Sequence, residues 1–314
     1  MEVKLAIGVV ILFSLLLLFY GAYYLVNPDL RGEEILTKRG IPYPTVIAHR
    51  GASIKAPEST AEAYLKARDM GVDYLEADLQ RTKDGKIVVF HDQTLERTSN
   101  VEEVFPERKE DKLGSFTYDE LKRLDFGSWF DERYEGLEII TLEELIEIAQ
   151  GGQYTPGLIL ETKDSEKYPG IEEEVVAILE EEGWMESDEK KEFAKTIFFS
   201  FSEKSLQKFK ELAPQVPRLL LVTDNMISRS SWRKWLKRAD GLADGLGTKG
   251  FMSWPWYIAQ AHEQGLFVFP YTINELWQIK LLAYFQSSGY ITDRPDLVLS
   301  FLDSISEIPI LNDE

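Results

Sequence analysis

Val46 to Thr60 reads VIAHRGASIKAPEST. A short apolar run ends abruptly in His49-Arg50-Gly51, crosses a stretch punctuated by Gly51 and Pro57, and meets Ser59 three residues before Glu62. An apolar run of this length, closed by glycine, reads as a buried strand. Ser59 with Glu62 at the third position is a capping-box pattern that opens a helix, and Ala63, Leu65, Ala67 and Met70 give that helix a partly apolar face. The unit is strand, polar turn, helix, and its recurrence decides the fold.

It recurs along most of the chain. Further strand candidates are Tyr74 to Leu79, Leu158 to Thr162, Thr196 to Phe201, Arg218 to Val222, Gly241 to Gly247, Phe267 to Tyr271 and Tyr290 to Thr292. Helical patterns separate most of them: Ile171 to Glu182, Ser202 to Leu212, Ser228 to Arg238, Trp254 to Gln264 and Glu275 to Phe285. Eight parallel candidates alternating with helices predict a (β/α)8 TIM barrel. A doubly wound open sheet is the alternative, and the lack of a glycine-rich dinucleotide or P-loop fingerprint after the first strand counts against its common versions.

Two stretches break the rhythm. Only QRTKDGK separates Leu79 from the apolar run Ile87 to Phe90, too short for a parallel crossover. Asp84-Gly85 signals a two-residue hairpin turn, which would set Asp78 opposite His91, with Glu76 on the same face as Asp78. Gln93 to Ile140 carries a charge run and Phe105, Phe116, Phe126, Trp129, Phe130 and Tyr134. It reads as a small subdomain, 93–140, inserted into a barrel over 45–304, with 305–314 as a C-terminal tail.

Before the barrel, Leu5 to Val26 reads LAIGVVILFSLLLLFYGAYYLV without a charge, about the 20 residues a membrane-spanning helix needs. Tyr20, Tyr23 and Tyr24 sit at its end as an interfacial belt would, and Tyr20 to Tyr23 makes a poor signal-peptidase site. The expectation is an N-terminal transmembrane anchor over 1–26, a linker over 27–44, and a single-pass membrane protein. Lys4 before the run against Arg31, Lys38 and Arg39 after it favours a cytoplasmic domain by the positive-inside rule. The formal net charge of −19 argues against nucleic acid or a bulk anionic surface as partner. The absence of cysteine excludes disulfides and thiolate metal sites.

Barrel active sites lie at the C-terminal ends of the strands. His49 and Arg50 end the first candidate, Glu76 and Asp78 lie on the second, and Glu161 and Lys163 close the third. Three carboxylates suit a hard divalent cation, Ca²⁺ or Mg²⁺. Arg50 and Lys163 can hold phosphate oxygens, and His49 and His91 can exchange protons near neutral pH. His262, within IAQAHEQG, lies on a helix away from these groups and reads as structural.

The ordered motifs HRG (His49 to Gly51), PEST (Pro57 to Thr60), EADL (Glu76 to Leu79), KDGKIVVFHD (Lys83 to Asp92), LETK (Leu160 to Lys163), FSF (Phe199 to Phe201), YTIN (Tyr271 to Asn274) and GYITDRPD (Gly289 to Asp296) resemble the glycerophosphodiester phosphodiesterases, among the phospholipase-C-like phosphodiesterases. The resemblance runs from about residue 45 to 300. It implies a barrel with an inserted subdomain that hydrolyses a glycerophosphodiester to glycerol 3-phosphate and an alcohol. It implies Glu76, Asp78 and Glu161 as ligands of a divalent metal ion, His49 and His91 as the acid–base pair, and Arg50 and Lys163 as phosphate contacts. The secreted branch of the family sets the domain outside the cell, and the expectation follows it.

Two positions depart from the family pattern: Ser59 where asparagine is usual, and Tyr271 where tryptophan is usual. Phe201 and Tyr271 are candidate pocket walls. KGFMSWPWY, Lys249 to Tyr257, offers Trp254 and Trp256 as an apolar rim. Such a rim would suit a lysophospholipid, whose buried methylenes each contribute about 0.8 kcal/mol, and makes lysophospholipase D activity the alternative function. A catalytically inactive, membrane-tethered binding domain is the other.

Overall fold

The nine strands are β1 (Thr45–His49), β2 (Tyr74–Arg81), β3 (Ile87–Val89), β4 (Gly157–Thr162), β5 (Thr196–Ser200), β6 (Arg218–Val222), β7 (Gly245–Lys249), β8 (Phe267–Tyr271) and β9 (Gly289–Thr292). They come from a computed structural model that describes residues 14–16, 18–185 and 193–306. Eight are hydrogen-bonded in parallel in the order β8-β7-β6-β5-β4-β2-β1-β9, and β3 hangs off β2. The two ends of that row meet where the Ile273 N–H donates to the Ile291 carbonyl at 2.9 Å. The barrel is thus nearly closed, and all eight expected strands form it. Only the sixth is displaced: Gly241 to Gly247 was expected and Gly245–Lys249 observed, which puts Lys249 at a strand end.

The strands are buried on both faces. One set of side chains, including Ile47, Tyr74, Ile159, Leu219 and Phe269, fills the barrel interior, and the other packs beneath the outer helices. The helix Ala61–Asp69 shows how the outer layer is seated: Thr60 caps it by accepting from the Ala63 N–H, and Ala63, Tyr64 and Ala67 are buried. Ser59, the expected cap, instead holds φ +60°, a region in which asparagine is enriched.

The stretch 27–44, expected as a linker, carries the helix Gly32–Thr37. Its Ile35 and Leu36, with Ile41, join the interior cluster and close the end of the barrel opposite the catalytic strand ends. Leu36 is fully buried, so Leu36→Ala should cost about 2–4 kcal/mol, read as a lower denaturation midpoint at unchanged m-value.

The β2–β3 hairpin exists, in a register one residue from the expected one. Leu79 pairs with Val89 and Gln80 with Val88, and Thr82 N donates to Lys86 O across a three-residue loop. Asp84 does not serve a two-residue turn because its Oδ1 accepts from Thr82 Oγ1 at 2.7 Å and from the Tyr118 N–H of the insertion at 2.9 Å. Asp78 therefore stands beside Phe90, and His91 enters the site by leaving the strand. Residues 93–140 pack around their own core, with Leu95, Val101, Phe116, Leu121 and Phe126 buried against Val88 and Phe90; Trp129 stays exposed.

The expected membrane-spanning run lies in part on residues 1–13 and 17, outside the described residues. Its end is helical over 18–26 and hydrogen-bonds to the barrel's outer helices. Among the described residues no helix is long and apolar enough to cross a membrane.

Candidate active site

At the C-terminal strand ends a cavity of about 220 Å³ is lined by His49, Arg50, Glu76, Asp78, His91, Glu161, Lys163, Phe201, Lys249 and Tyr271. All seven residues proposed for chemistry face this one space. The HRG turn makes the first contribution. Arg50 takes φ +56° and Gly51 φ +84°, and a Cβ on Gly51 would lie 2.6 Å from the Ala63 carbonyl carbon. Only glycine permits that close approach. Arg50 is a non-glycine residue in the left-handed region, a cost that clusters at functional sites. The turn lets the Arg50 backbone N–H donate to Glu76 at 2.7 Å and returns its guanidinium to Glu58 at 2.9 Å and to Asp78 at 3.2 Å.

Three buried carboxylates and two cations share the floor. Lys163 Nζ sits 3.0 Å from Asp78 and 2.9 Å from Glu161. Burial works against the Asp78 charge, yet Lys163 and Arg50 hold its carboxyl below the usual range. Burial and then the charge of Asp78 push Glu76 well above it. Burial lifts Glu161 to about 7, against the pull of Lys163. For Lys163 burial opposes the charge, but Asp78 and Glu161 raise its pKa.

These residues bear directly on a divalent metal ion. Among the described residues no three acidic or histidine groups stand ready to hold one; Lys163 bridges two of the three candidate ligands instead. The donor chemistry nevertheless fits a hard cation, being three carboxylates on neighbouring strands. Asp78 Oδ2 is buried and accepts no hydrogen bond.

Each histidine is held by a carboxylate. His49 Nδ1 lies 2.6 Å from Asp293, which also accepts from Ser53 at 3.1 Å and from the Asn274 amide at 2.6 Å. His91 Nδ1 lies 2.6 Å from Asp92. Arg97 then ties the two halves together, donating to Asp92 at 2.5 Å and to Glu58 at 2.6 and 2.8 Å. Burial opposes ionisation of both aspartates, but His49 holds Asp293 low, and His91 with Arg97 holds Asp92 low.

The wall is aromatic. Phe201 meets Tyr271 edge to face at 6.5 Å, and Tyr271 anchors its hydroxyl on the Val222 carbonyl at 3.2 Å. Trp254 and Trp256 are not part of it. They stack on each other at 5.2 Å, and Trp254 lines a separate apolar groove with Trp277 and Leu281. The reason is local: Trp254 precedes the helix Pro255–Glu263 and faces outward between helices. A second cleft of about 700 Å³, lined by His91, Lys163, Glu166, Lys167 and Phe201, adjoins the cavity and shares His91, Glu161, Lys163 and Phe201 with it. His262 is buried far from this space, between Asp29 and Ser288 at 3.2 Å each.

Asp92, Asp293, Arg97, Glu58, Asn274 and Lys249 were not anticipated as site residues. Asp92 and Asp293 follow His91 and the β9 strand end directly, so the motifs FHD and ITDRPD carried the signal. Arg97 and Glu58 are joined only by tertiary structure.

The model of the glycerophosphoryl diester phosphodiesterase family matches residues 49–297. A glycerophosphodiester phosphodiesterase of Bacillus subtilis (strain 168) is 32% identical over 269 residues, covering 80% of this chain and 84% of that protein. One from Caldanaerobacter subterraneus subsp. tengcongensis is 30% identical over 257 residues, covering 82% and 97%. A phosphodiesterase of Oleispira antarctica, solved in complex with the product sn-glycerol-3-phosphate, is 31% identical with a TM-score of 0.68, covering 83% of this chain and 97% of that one. The match spans most of the chain, including the stretches that carry His49, Arg50, Glu76, Asp78, His91, Glu161 and Lys163, so the chain belongs to the glycerophosphoryl diester phosphodiesterase family and is an enzyme of that class.

Proposed function

We propose that the chain hydrolyses glycerophosphodiesters to glycerol 3-phosphate and an alcohol by acid–base chemistry between His49 and His91. The observation that carries this reading is the single cavity that two carboxylate-buttressed imidazoles share with Arg50, Lys163 and three buried carboxylates. Arg50 and Lys163 bind the phosphate, the arginine with a planar fork that matches its oxygens. Glu76, Asp78 and Glu161 would hold a divalent metal ion, Ca²⁺ or Mg²⁺, once Lys163 withdraws from Asp78 and Glu161 towards the phosphate. When bound, that ion supplies Lewis-acid stabilisation of charge on the phosphoryl oxygens.

His49 lines only the inner cavity, whereas His91 lines both the cavity and the adjoining cleft. This supports His91 as the acid that protonates the leaving alcohol, which departs through the cleft, and His49 as the base that takes the proton of the nucleophile, either water or the neighbouring glycerol hydroxyl, the latter giving a cyclic phosphate that water then opens to glycerol 3-phosphate. Each aspartate holds its imidazole by Nδ1, leaving Nε2 for the proton transfer. Asp293→Asn keeps the shape but loses the charge that stabilises protonated His49. Turnover should fall about 10-fold or more, because the carboxylate orients the imidazole and stabilises its protonated form, with KM little changed.

Chelation tests the metal reading. Treatment with EDTA should abolish hydrolysis of glycerophosphocholine, and Ca²⁺ or Mg²⁺ should restore it; full activity after exhaustive chelation would defeat this part of the proposal.

We also place the enzyme at a lipid membrane on the strength of the uncharged run Leu5–Val26, and on its extracytoplasmic side by the resemblance to the secreted branch of the family. Lysophospholipase D activity is the alternative: the apolar groove beside Trp254, about 290 Å³, is separate from the catalytic cavity, but its Gly250 and Ile273 adjoin Lys249 and Thr272 of that cavity in sequence, so an acyl chain could pass from one to the other. Comparison of kcat/KM for lysophosphatidylcholine and glycerophosphocholine tests this, since an enzyme inert towards the lysolipid has no use for the groove as an acyl site.

A further inference from the structure

Exposed apolar surface is concentrated on one side of the barrel. Of the 19 exposed large hydrophobic residues described, 13 lie in 15–26, at Trp254, or in 276–284. The helical segment 18–26 is anchored there by few contacts. Tyr20 accepts from Gln260 at 3.2 Å, the Leu25 carbonyl accepts from the Tyr284 hydroxyl at 2.6 Å, and Gly21 faces the Trp256 ring. Most of the segment is bare: Phe19 is 71% exposed and Val26 77%. A monomer in water rarely leaves so continuous an apolar face uncovered.

The contacts give the segment a direction. Asp29 meets His262 at the C-terminal end of the helix Pro255–Glu263, Leu25 meets Tyr284 at the end of the helix Leu276–Tyr284, and Gly21 meets Trp256 in the first turn. Those first turns follow the C-terminal ends of β7 and β8, where the catalytic cavity opens. Read backwards from Val26, the segment climbs the outside of the barrel towards the active-site rim. Beside it lies the groove of about 290 Å³ lined by Ser253, Trp254, Ile273, Trp277, Leu281 and Phe285, with no charged side chain among its lining residues. Gly250 and Ile273 of that lining adjoin in sequence Lys249 and Thr272 of the catalytic cavity.

We propose that this side of the barrel, made of 18–26 and the Trp254–Trp277–Leu281 groove, is a docking face for a bilayer of zwitterionic lipid, and that it brings the catalytic mouth to the lipid surface. The proposal rests on the lipid-associated reading above. Tryptophan and tyrosine at the edge of an apolar face are the residues that favour a membrane interface. Contacts of Tyr20, Gly21 and Leu25 with the outer helices suit a segment lying in the interface plane. The net charge of −19 selects zwitterionic over anionic lipid.

The chain contains no cysteine, so single thiols can carry a nitroxide without competing sites. Full-length Trp277→Cys, Leu281→Cys and Glu180→Cys proteins, the last labelled on the helix across the barrel, are bound to phosphatidylcholine vesicles. Collision of each label with oxygen and with a water-soluble nickel chelate is measured by electron paramagnetic resonance. Labels at 277 and 281 should show a severalfold rise in the oxygen-to-nickel ratio on adding vesicles, and the label at 180 no change. Equal behaviour at all three positions, nickel access at 277 and 281 on floated protein, or no association with vesicles would overturn the proposal. So would labels at 277 and 281 shielded without lipid in a protein that self-associates, because a second copy then covers the face. The two labelled positions guard against one variant failing to fold, which circular dichroism reports. The readout needs no turnover, so failure of docking and failure of the hydrolytic reading are separable by assaying glycerophosphocholine in detergent.

Discussion

His49→Ala and His91→Ala should each lower turnover of glycerophosphocholine by about 10²-fold or more, the usual worth of a positioned acid or base. In the proposed mechanism the two residues act on different protons of one displacement, so the double variant should fall little below the worse single one if the remaining rate bypasses both. The cause is geometric. Each imidazole is fixed by a carboxylate at 2.6 Å, and both open into a cavity that also holds Arg50 and Lys163. His262→Ala is the counter-case. It removes a buried ring hydrogen-bonded to Asp29 and Ser288, so it should lower the unfolding midpoint while leaving turnover per folded molecule near wild type. Steady-state kinetics beside a denaturation curve separates the two effects. Equal losses of turnover at all three positions would show that the catalytic histidines are misassigned.

Asp78→Asn should be the most damaging change among the carboxylates. Asp78 faces Arg50 at 3.2 Å and Lys163 at 3.0 Å in a fully buried position. Removing one partner of a buried ion pair leaves charge uncompensated and costs about 3–5 kcal/mol. It also removes a ligand of the proposed metal site. A divalent cation that binds only the folded protein should stabilise the wild type by about 2.7 kcal/mol at a hundredfold excess over Kd, and that increment should vanish in Asp78→Asn and Glu161→Gln. Thermal unfolding with and without Ca²⁺ or Mg²⁺ checks it. A cation-induced shift that survives both substitutions would move the metal elsewhere.

Most of the barrel was legible because each strand is a short apolar run closed by glycine or a polar turn, and because burial on both faces leaves such runs continuous. The legible part of the site has the same origin. His49, Glu76, Asp78, Glu161 and Lys163 sit at or near strand ends, where position along the chain fixes position in the barrel. What was not legible depended on contacts distant in sequence. Gly241–Leu242 extends the apolar run of β7, but Asp244 bonds back to Arg218 and delays the strand, placing Lys249 in the cavity. Asp84 spends its carboxylate on Tyr118 and Thr82, which lengthens the hairpin loop by one residue. The helix Gly32–Thr37 contributes only Ile35 and Leu36 to the interior, too little local pattern to betray a plug. Trp254 and Trp256 were read from the loop's place at the barrel mouth, whereas helix packing aims them at the outer face.

The claim on which the rest depends is that the phosphodiester is cleaved on the alcohol side, with the phosphate kept on glycerol. Phosphorus-31 magnetic resonance of glycerophosphocholine incubated with the full chain and a divalent cation tests it in one spectrum. Growth of the glycerol 3-phosphate signal, absent with His91→Ala over the same period, is the expected result. Phosphocholine as the product, or glycerol 3-phosphate formed equally fast by His91→Ala, would contradict the account.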